Sequence, residues 1–481
     1  MCRTYRCCWC SSSYGSLEVS SRKIVGDDLD GNRFPDRSGK VFSKTDTTFS
    51  GWPFNVCPLI IMINRLKENM IRISAMGRVS NRPVESYGQL DPKRGVSRPE
   101  GSEANRVLRD FTVQCMQDAG LSVRIDRVGN ILGRKDGERN HEKAVMIGSH
   151  LDSVMNGGHL DGALGVFSGI EAVRRLRDED FHNQRPIDVA AFTGEEGSSF
   201  VAGAMLGSAV LAGKMGADEA LSARNIHGRT LHEVLTEMGY KGDFEYCVDD
   251  VDAFLELHIE QGPVLDFEGV PVGIVAQIAG ITWLKSTITG SGNHAGTTPM
   301  HLRQDALVAA AEAIRFLNRR AREMAESLHS AIVGTTGHLS VYPNNLNVIP
   351  GMVELGFDIR DISLENMQGL TEETLSFLNG LKHENGLDVH VDSLHVQAPV
   401  NLSEDIVRII EKAAVQAGVR FKRMASGAGH DTQNMASIAR AGMIFVPSVR
   451  GISHAPMEWT EWEDIEKGVS VLTGALKVLS A

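Results

Sequence analysis

Apolar residues recur every three or four positions in several stretches of the chain, the pattern of helices with one buried face. Leu108, Phe111 and Cys115 share one face of a helix predicted over residues 103–119, and Gly120 supplies the stop signal. The same pattern predicts helices over residues 61–76, 163–176, 305–325, 364–381, 406–417 and 463–479.

Short apolar runs between those helices predict strands, because they are bounded by glycine, proline or polar turn residues. In the first part of the chain they cover residues 122–125, 130–133, 143–147, 187–192 and 254–259. Strands that alternate with helices favour a sheet with parallel strands and helices on both faces. We therefore predict an α/β fold built on a mixed, mostly parallel sheet flanked by helices.

From residue 281 the order changes to strand, helix, strand, strand, helix, strand, which is typical of a two-layer α+β domain of the ferredoxin-like type. After Pro399 the earlier alternation returns. The strands of these two parts are predicted at residues 281–289, 339–342, 352–359, 389–394, 421–424 and 443–446. The simplest interpretation is a catalytic domain, residues 59–280 and 399–481, interrupted by an inserted domain, residues 281–398.

The first part of the chain, residues 1–58, is rich in Ser, Gly, Asp, Arg and Thr and shows no sustained periodicity. We expect a disordered extension or a product of start-site choice, with a transit peptide as the alternative. Four of the seven cysteines lie in the first ten residues, and this spacing does not fit a framework of disulfide bonds for a chain of this size. Cys7, Cys8 and Cys10 lack the second pair that a zinc site needs. A reducing cytoplasm is the expected compartment.

The charge balance excludes two classes of partner. The 481 residues include 49 basic and 61 acidic side chains, a net charge of −12. An acidic chain has no general attraction to nucleic acid or to an anionic membrane surface. No apolar run reaches the roughly 18 residues of a membrane helix. We expect neither nucleic acid nor a membrane as a partner.

Candidate chemistry begins where the strand predicted at residues 143–147 ends. The segment Gly148-Ser149-His150-Leu151-Asp152 is followed by a Gly-rich turn that carries Asp161. Open α/β sheets bind ligands at the carboxyl ends of their strands, and imidazole and carboxylate are good zinc ligands. Asp152 could hold the second nitrogen of His150 and fix its tautomer. The alternative is a Gly-rich polar loop with surface histidines.

Two adjacent carboxylates, Glu195 and Glu196, follow the strand at residues 187–192. Neighbouring side chains cannot both point the same way, so one can bind a metal ion while the other faces a bound water molecule. This division suits hydrolysis, because a metal lowers the pKa of bound water to about 7 and a carboxylate can accept its proton. A solvated acidic turn is the alternative.

Two further histidines lie near strand ends, His258 in Leu-His-Ile-Glu-Gln-Gly and His454 in Ser-His-Ala-Pro-Met-Glu. Either histidine alone would be interpreted as a structural residue. Together with His150 and the carboxylates they predict a two-metal site, in which Asp161 could bridge ions about 3.5–4 Å apart.

The ordered motifs GSHLDS, GGHLDG, GEEGSSF, LHIEQG, GSGNHAGTTPM, NVIPG, DIRD, SGAGHD and SHAPMEW, over residues 61–481, resemble the N-carbamoyl-L-amino-acid hydrolase and allantoate amidohydrolase family. This is the carbamoyl-hydrolysing branch of the di-zinc aminoacylase-type metallopeptidases. The resemblance implies a di-zinc aminopeptidase-like catalytic domain. It implies that Asp161 bridges two zinc ions, with Glu195 as general base. The remaining ligands that it implies are His150 and His258 on one ion, and Glu196 and His454 on the other.

The resemblance also implies a lid and dimerisation domain in residues 281–398 and a homodimer formed through it. It implies substrate binding by Gln261, His294, Asn347 and Arg360. A salt bridge to Asp358 or Asp361 is the alternative role for Arg360, and a cap in a turn is the alternative for His294. Ser199 stands where the family often has Arg.

The expected activity is metal-dependent cleavage of the N-carbamoyl group of an N-carbamoyl-L-amino acid, giving amino acid, ammonia and carbon dioxide. Its substrate would be a small ureido compound bearing a carboxylate, which Arg360 could hold bidentately. Allantoate is the alternative substrate, and a related ureido-acid hydrolase, a dipeptidase or an aminoacylase is a further alternative. Zinc is the expected ion, although manganese, cobalt and nickel compete for similar ligands. An inactive binding protein would lack a ligand or Glu195, and all are present.

Overall fold

The computed structural model describes residues 58–200 and 204–481. Its strands are β1 (Ser122–Ile125), β2 (Ile131–Lys135), β3 (Ala144–His150), β4 (Ile187–Phe192), β5 (Val251–Ile259), β6 (Val272–Ile278), β7 (Gly280–Thr289), β8 (Asn293–His294), β9 (Val333–Tyr342), β10 (Val348–Ile349), β11 (Met352–Asp361), β12 (Asp388–Gln397), β13 (Val400–Asn401), β14 (Phe421–Ser426) and β15 (Arg440–Val446).

The α-helices of the same residues are α1 (Pro58–Ser74), α2 (Glu103–Asp118), α3 (Ala163–Asp178), α4 (Leu206–Leu211), α5 (Ala217–Ser222), α6 (Leu231–Met238), α7 (Val264–Glu268), α8 (Ala306–Leu328), α9 (Leu364–Asn385), α10 (Glu404–Gln416), α11 (Asp431–Met435) and α12 (Trp462–Ser480). In the described part of the chain, none of these helices is both long enough and apolar enough to cross a membrane.

The larger sheet has the strand order β1-β2-β4-β3-β5-β15-β6-β13, and β14 also pairs with β6. Its four central strands, β4, β3, β5 and β15, run parallel, whereas most of the outer pairings are antiparallel. In register, His150 of β3 lies beside Phe192 of β4, and His258 of β5 lies beside Phe445 of β15. The parallel strands therefore bring their carboxyl ends to one edge of the sheet.

The core around this sheet is made by its fully buried central strands, in which every residue of β3 and β4 is buried. Strands that are buried along their whole length are typical of parallel sheets covered on both faces. Helix α12 packs closely on the sheet at Gly468, where an added Cβ would lie 2.5 Å from Cγ1 of Val446. The predicted mixed sheet with a parallel centre and flanking helices is confirmed.

The smaller sheet is antiparallel, with the order β12-β7-β11-β9, and β8 and β10 form a separate two-stranded ribbon. Burial alternates along β11 from Met352 to Asp361, because one face packs on a second hydrophobic cluster and the other does not. Residues of α8 and α9, among them Leu317 and Leu370, complete that cluster. The order of strands and helices is the ferredoxin-like one expected for residues 281–398.

Most predicted elements are found, and the strands at residues 122–125 and 187–192 have the predicted bounds. The prediction missed β6, whose apolar run is separated from β7 by the single residue Ala279. It also missed short helices such as α4 and α11, because five or six residues show too few turns for a period to be visible. The predicted extension lies outside the described residues apart from Pro58.

The predicted domain boundaries stay a prediction. Both sheets belong to one compact unit of the chain. Their hydrophobic clusters are separate, one around the larger sheet and one between the smaller sheet and its helices.

A buried ion pair between Arg109 and Glu100 supports the end of β4. Each side chain is 1% exposed, and their atoms Nη2 and Oε2 lie 2.8 Å apart. Arg109 also donates to Oγ1 of Thr193 at 3.0 Å, and Glu100 accepts from the backbone N–H of Gly194 at 3.2 Å. The pair therefore holds the two residues that immediately precede Glu195.

Arg109→Met should lower the free energy of unfolding by about 3–5 kcal/mol, because it leaves the buried charge of Glu100 without an opposite charge. Urea unfolding followed by circular dichroism measures the change. Arg106→Met on the same helix is the matched control, since among the described residues Arg106 forms its ion pairs at the surface, with Glu103 and Asp110. Its unfolding midpoint should stay close to that of the wild type, and equal midpoints for both variants would contradict the prediction.

Candidate metal centre

The carboxyl edge of the larger sheet brings together the histidines and carboxylates that the motifs indicate. His150 ends β3, and His258 is the last residue but one of β5. Glu195 and Glu196 follow β4, and Asp161 lies just before α3. We name the five proposed ligands the Asp161 cluster; they are His150, Asp161, Glu196, His258 and His454.

The two carboxylate oxygens of Asp161 face different neighbours. Its Oδ1 lies 3.5 Å from Nε2 of His150 and 3.1 Å from Nε2 of His258. Its Oδ2 lies 3.2 Å from Nε2 of His454, which is 3.4 Å from Oε2 of Glu196. The cluster thus forms two groups of three side chains that share Asp161, each with its potential ligand atoms within 4.8 Å of one another.

The second nitrogens of the two buried histidines contact backbone carbonyl oxygens. Nδ1 of His150 lies 3.1 Å from the carbonyl oxygen of Asp152, and Nδ1 of His258 lies 2.9 Å from that of Ile259. Donation from Nδ1 leaves Nε2 unprotonated and able to bind a metal ion. In His258 this nitrogen accepts from the backbone N–H of Gly162 at 3.3 Å. The donor set and its tautomers therefore fit two divalent cations that prefer nitrogen and oxygen ligands.

Asp152 orients the turn that carries the two adjacent glutamates. Its Oδ1 accepts from the backbone N–H of Glu195 at 3.1 Å, and its Oδ2 from that of Glu196 at 3.2 Å. Its Oδ1 also lies 3.5 Å from Nδ1 of His150, whereas the backbone carbonyl oxygen of Asp152 lies 3.1 Å from the same nitrogen. Asp152 thus fixes the backbone of both glutamates through its carboxylate and contacts His150 through its carbonyl oxygen.

Burial makes the negative charges of Glu195 and Glu196 unfavourable. It raises the pKa of Glu195 well above its usual range. The charge of His150 lowers this pKa, whereas the charges of Asp431 and Glu196 raise it further. Burial also raises the pKa of Glu196 to about 7, helped by the charge of Asp161. A bound cation would reverse these shifts, since it is the largest local charge in such a site.

The cluster lies at the base of a cavity of about 300 Å³, and β7, β11 and β12 of the smaller sheet supply the other wall. Arg360 of β11 lines it. Its Nε and Nη2 each donate to Asp358 at 2.8 Å, and Nη1 donates to the carbonyl oxygen of Gly427 at 3.0 Å. The salt bridge named as the alternative role is thus present, and two of the five guanidinium N–H groups remain for another partner.

Gln261 and His454 both have left-handed backbones, with φ of 58° and 54°. Such values are uncommon outside glycine and often mark functional sites. Gln261 donates from Nε2 to Oδ2 of Asp161 at 2.9 Å. Among the described residues its Oε1 is buried and has no hydrogen-bond partner, so a residue that lines the cavity keeps an unused acceptor.

His294 and Asn347 do not line this cavity. They lie on or beside the β8–β10 ribbon, where the backbone N–H of Ala295 donates to the carbonyl oxygen of Asn347 at 3.0 Å. Nδ1 of His294 accepts from the N–H groups of Gly296 at 3.0 Å and Thr297 at 3.2 Å. This contact is the turn cap named as the alternative, and it leaves Nε2 of the exposed ring available.

Several residues of the cavity were missed by the sequence reasoning. His430 lies in the SGAGHD motif but received no role; its ring is buried 4.6 Å from that of His258, and burial lowers its pKa well below the usual range. Trp283 and His395 line the opposite wall with ring centroids 5.5 Å apart, and only strand alternation could have placed them on that face.

Ser199 keeps a buried hydroxyl with no partner among the described residues.

Comparisons with known proteins agree with the motifs. A model of peptidase family M20/M25/M40 matches residues 146–478. An N-carbamoyl-L-amino acid amidohydrolase of Geobacillus stearothermophilus is 40% identical over 385 residues, which are 79% of this chain and 92% of that protein. An allantoate amidohydrolase of Bacillus subtilis is 35% identical over 367 residues, 76% of this chain and 88% of that protein.

Solved structures give the same result. An amidase of the hydantoinase/carbamoylase family from Burkholderia multivorans superposes with a TM-score of 0.78 at 34% identity. The match covers 87% of this chain and 98% of that one. The chain therefore belongs to peptidase family M20/M25/M40 and, within it, to the N-carbamoyl-L-amino-acid hydrolase and allantoate amidohydrolase family.

Proposed function

We propose that the protein is a two-metal amidohydrolase that removes the N-carbamoyl group from an N-carbamoyl-L-amino acid. The observation that carries the proposal is the sharing of Asp161 between two groups of potential metal ligands. The name of the Geobacillus stearothermophilus relative supports the choice of substrate. Allantoate, supported by the relative from Bacillus subtilis, is the second candidate and would use the same groups.

Two divalent cations, with zinc as the expected ion, would be held by the Asp161 cluster. His150 and His258 would hold one, Glu196 and His454 the other, and Asp161 would contact both. When bound, such ions polarise the substrate carbonyl and make water a nucleophile near neutral pH. Manganese, cobalt and nickel accept similar ligands.

Glu195 is the proposed general base. Its carboxylate is 12% exposed and faces the cluster, with Oε2 3.6 Å from Nε2 of His150. It would accept the proton of the water that attacks the carbamoyl carbon. The bond from this carbon to the amino acid nitrogen then breaks, and Glu195 would pass the proton to that nitrogen. The carbamate set free breaks down to ammonia and carbon dioxide.

Substrate binding is proposed for residues on both sides of the cavity. The two unused N–H groups of Arg360 suit the carboxylate of the substrate, since Asp358 holds the guanidinium in a fixed orientation. The free Oε1 of Gln261 can accept a hydrogen bond from a carbamoyl N–H group. His294 and Asn347 would complete the site, with His294 donating to the developing oxyanion.

A homodimer would bring His294 and Asn347 to a cavity that they do not line within their own chain. Strand β9 is an edge of the smaller sheet, with β11 as its only partner strand among the described residues. Large apolar side chains are exposed on β9 and in the chain segments next to β8 and β10, and exposed apolar patches commonly mark interaction sites. They are Met300, Leu302, Leu339, Tyr342 and Leu346.

Ammonia release measured across a substrate panel tests the function. N-carbamoyl-L-amino acids should be cleaved faster than allantoate, N-carbamoyl-β-alanine or dipeptides. A chelator should abolish the activity, and added divalent metal should restore it, because the ions would lower the pKa of the attacking water and polarise the carbonyl, which Glu195 alone does not do. Full activity in a preparation shown to be free of metal would contradict the mechanism, and preference for allantoate would select the second candidate.

Glu195→Gln should retain both ions and bind substrate, yet lower kcat by about 10²–10⁴-fold, because the amide accepts no proton from water. Glu196→Gln is the matched variant at the neighbouring position and should weaken the binding of one ion instead. Metal content by mass spectrometry, together with kcat and KM, separates the two effects. If Glu195→Gln lost metal and Glu196→Gln kept it, the two roles would be exchanged.

Mixed dimers of Glu195→Gln and His294→Ala test the contribution of a partner subunit. If His294 acts across the interface, random pairing at equal amounts should restore about a quarter of wild-type activity. The subunits are unfolded, mixed and reassembled, and native mass spectrometry verifies the heterodimer. Absence of recovery despite verified heterodimers would place His294 in the site of its own chain.

A further inference from the structure

Glu458 lies behind the Asp161 cluster and is fully buried. Its Oε1 accepts hydrogen bonds from the backbone N–H groups of Leu160 and Asp161, both at 3.1 Å. Its Oε2 accepts from the hydroxyl of Ser453 at 3.1 Å and from the backbone N–H of His454 at 3.3 Å. One carboxylate thus joins two segments of the cluster that are distant in the chain.

Neither segment has regular secondary structure where it meets Glu458. Asp161 lies in the turn before α3, and His454 lies in the loop between β15 and α12. Loops of this kind are positioned by the contacts of their side chains and backbone groups, because no ladder of backbone hydrogen bonds fixes them. Two other contacts join the segments near the 3.2 Å separation of Oδ2 of Asp161 and Nε2 of His454: Ser453 donates to Oδ2 of Asp161 at 3.3 Å, and Nε2 of Gln261 lies near both atoms. Of these groups, Glu458 is the one that holds the backbone of both segments.

The surroundings of Glu458 are adapted to a carboxylate. A Cβ at Gly158 would lie 1.9 Å from its Oε1, so that only glycine leaves room there. Its four hydrogen-bond partners in the cluster segments are all donors, two for each oxygen. An amide cannot accept from both pairs, since one of its two ends is itself a donor. Replacing one oxygen by an NH₂ group would leave the backbone N–H group that it faces without its acceptor.

We propose that Glu458 is a positioning residue of the metal centre, which holds Asp161 and His454 at the separation needed to bind one ion together with Glu196. The inference rests on the proposed function, because it assigns Glu458 a role toward metal ions. Glu458 itself contacts no ion and no substrate in this role. Its effect is transmitted through the backbone of the two ligands.

Glu458→Gln tests the role by metal binding rather than by activity. The amide oxygen can accept from Leu160 and Asp161 while its NH₂ group opposes the N–H of His454. The wild type should hold two zinc ions per chain. The variant should keep one with unchanged affinity and bind the second about 10–100-fold more weakly, as is typical for loss of a partner that orients a ligand. Zinc content at buffered free zinc concentrations, and the visible spectrum of the cobalt-loaded protein, measure this change.

Glu260→Gln is the matched control. Glu260 is 7% exposed and accepts from the backbone N–H groups of Val264 and Leu265 at 2.8 Å each, both in one segment. Its replacement makes the same chemical change in a buried carboxylate without touching Asp161 or His454. Both zinc dissociation constants should equal those of the wild type. An equal loss of zinc in Glu260→Gln and Glu458→Gln would reject a specific role for Glu458.

Gly158→Ala approaches the same contact from the other side, because the added methyl group must displace the Glu458 carboxylate. It should weaken the same ion. Wild-type zinc constants in folded Glu458→Gln or Gly158→Ala protein would overturn the inference and leave the proposed function intact. If a metal-free variant is unfolded and regains wild-type constants on loading, Glu458 serves the fold and the inference is rejected. A wild-type protein that binds no metal would instead refute the proposed function.

Discussion

The position of the Asp161 carboxylate is the constraint on which the rest of the site depends. Its two oxygens face His150 and His258 on one side and His454 on the other. Buried charges are tolerated only where opposite charge or hydrogen bonds compensate them. The parallel strands, the turn before α3 and the loop after β15 all converge on this one side chain. The fold therefore creates a region of concentrated negative charge that suits cations.

Much of this could be predicted from the sequence because it depends on local pattern. His150, Glu195 and His258 lie at or just beyond the ends of apolar runs, and the carboxyl ends of parallel strands meet at one edge. The ferredoxin-like order of the smaller sheet follows from its alternating strands and two long helices. In each instance the signal lies within a few residues of the element that it predicts.

What the sequence did not predict depends on contacts between distant segments. Nothing near Trp283 in the chain indicates that its ring meets that of His395, its partner on the neighbouring strand β12. The bidentate contact of Arg360 with Asp358 was only one of two alternatives, since a guanidinium can serve a substrate or a neighbour. The link from Glu458 to Leu160 and Asp161 connects residues almost 300 positions apart. Such contacts are set by tertiary packing, which local periodicity does not contain.

The left-handed backbones of Gln261 and His454 have a consequence for the evolution of this site. A β-branched side chain is a strained outlier at positive φ, whereas asparagine, aspartate and histidine are enriched there. Most mutations that reach valine, isoleucine or threonine at these positions would thus be removed by selection for folding, before any selection on catalysis. The backbone itself narrows the set of residues from which new chemistry could arise at this edge of the sheet.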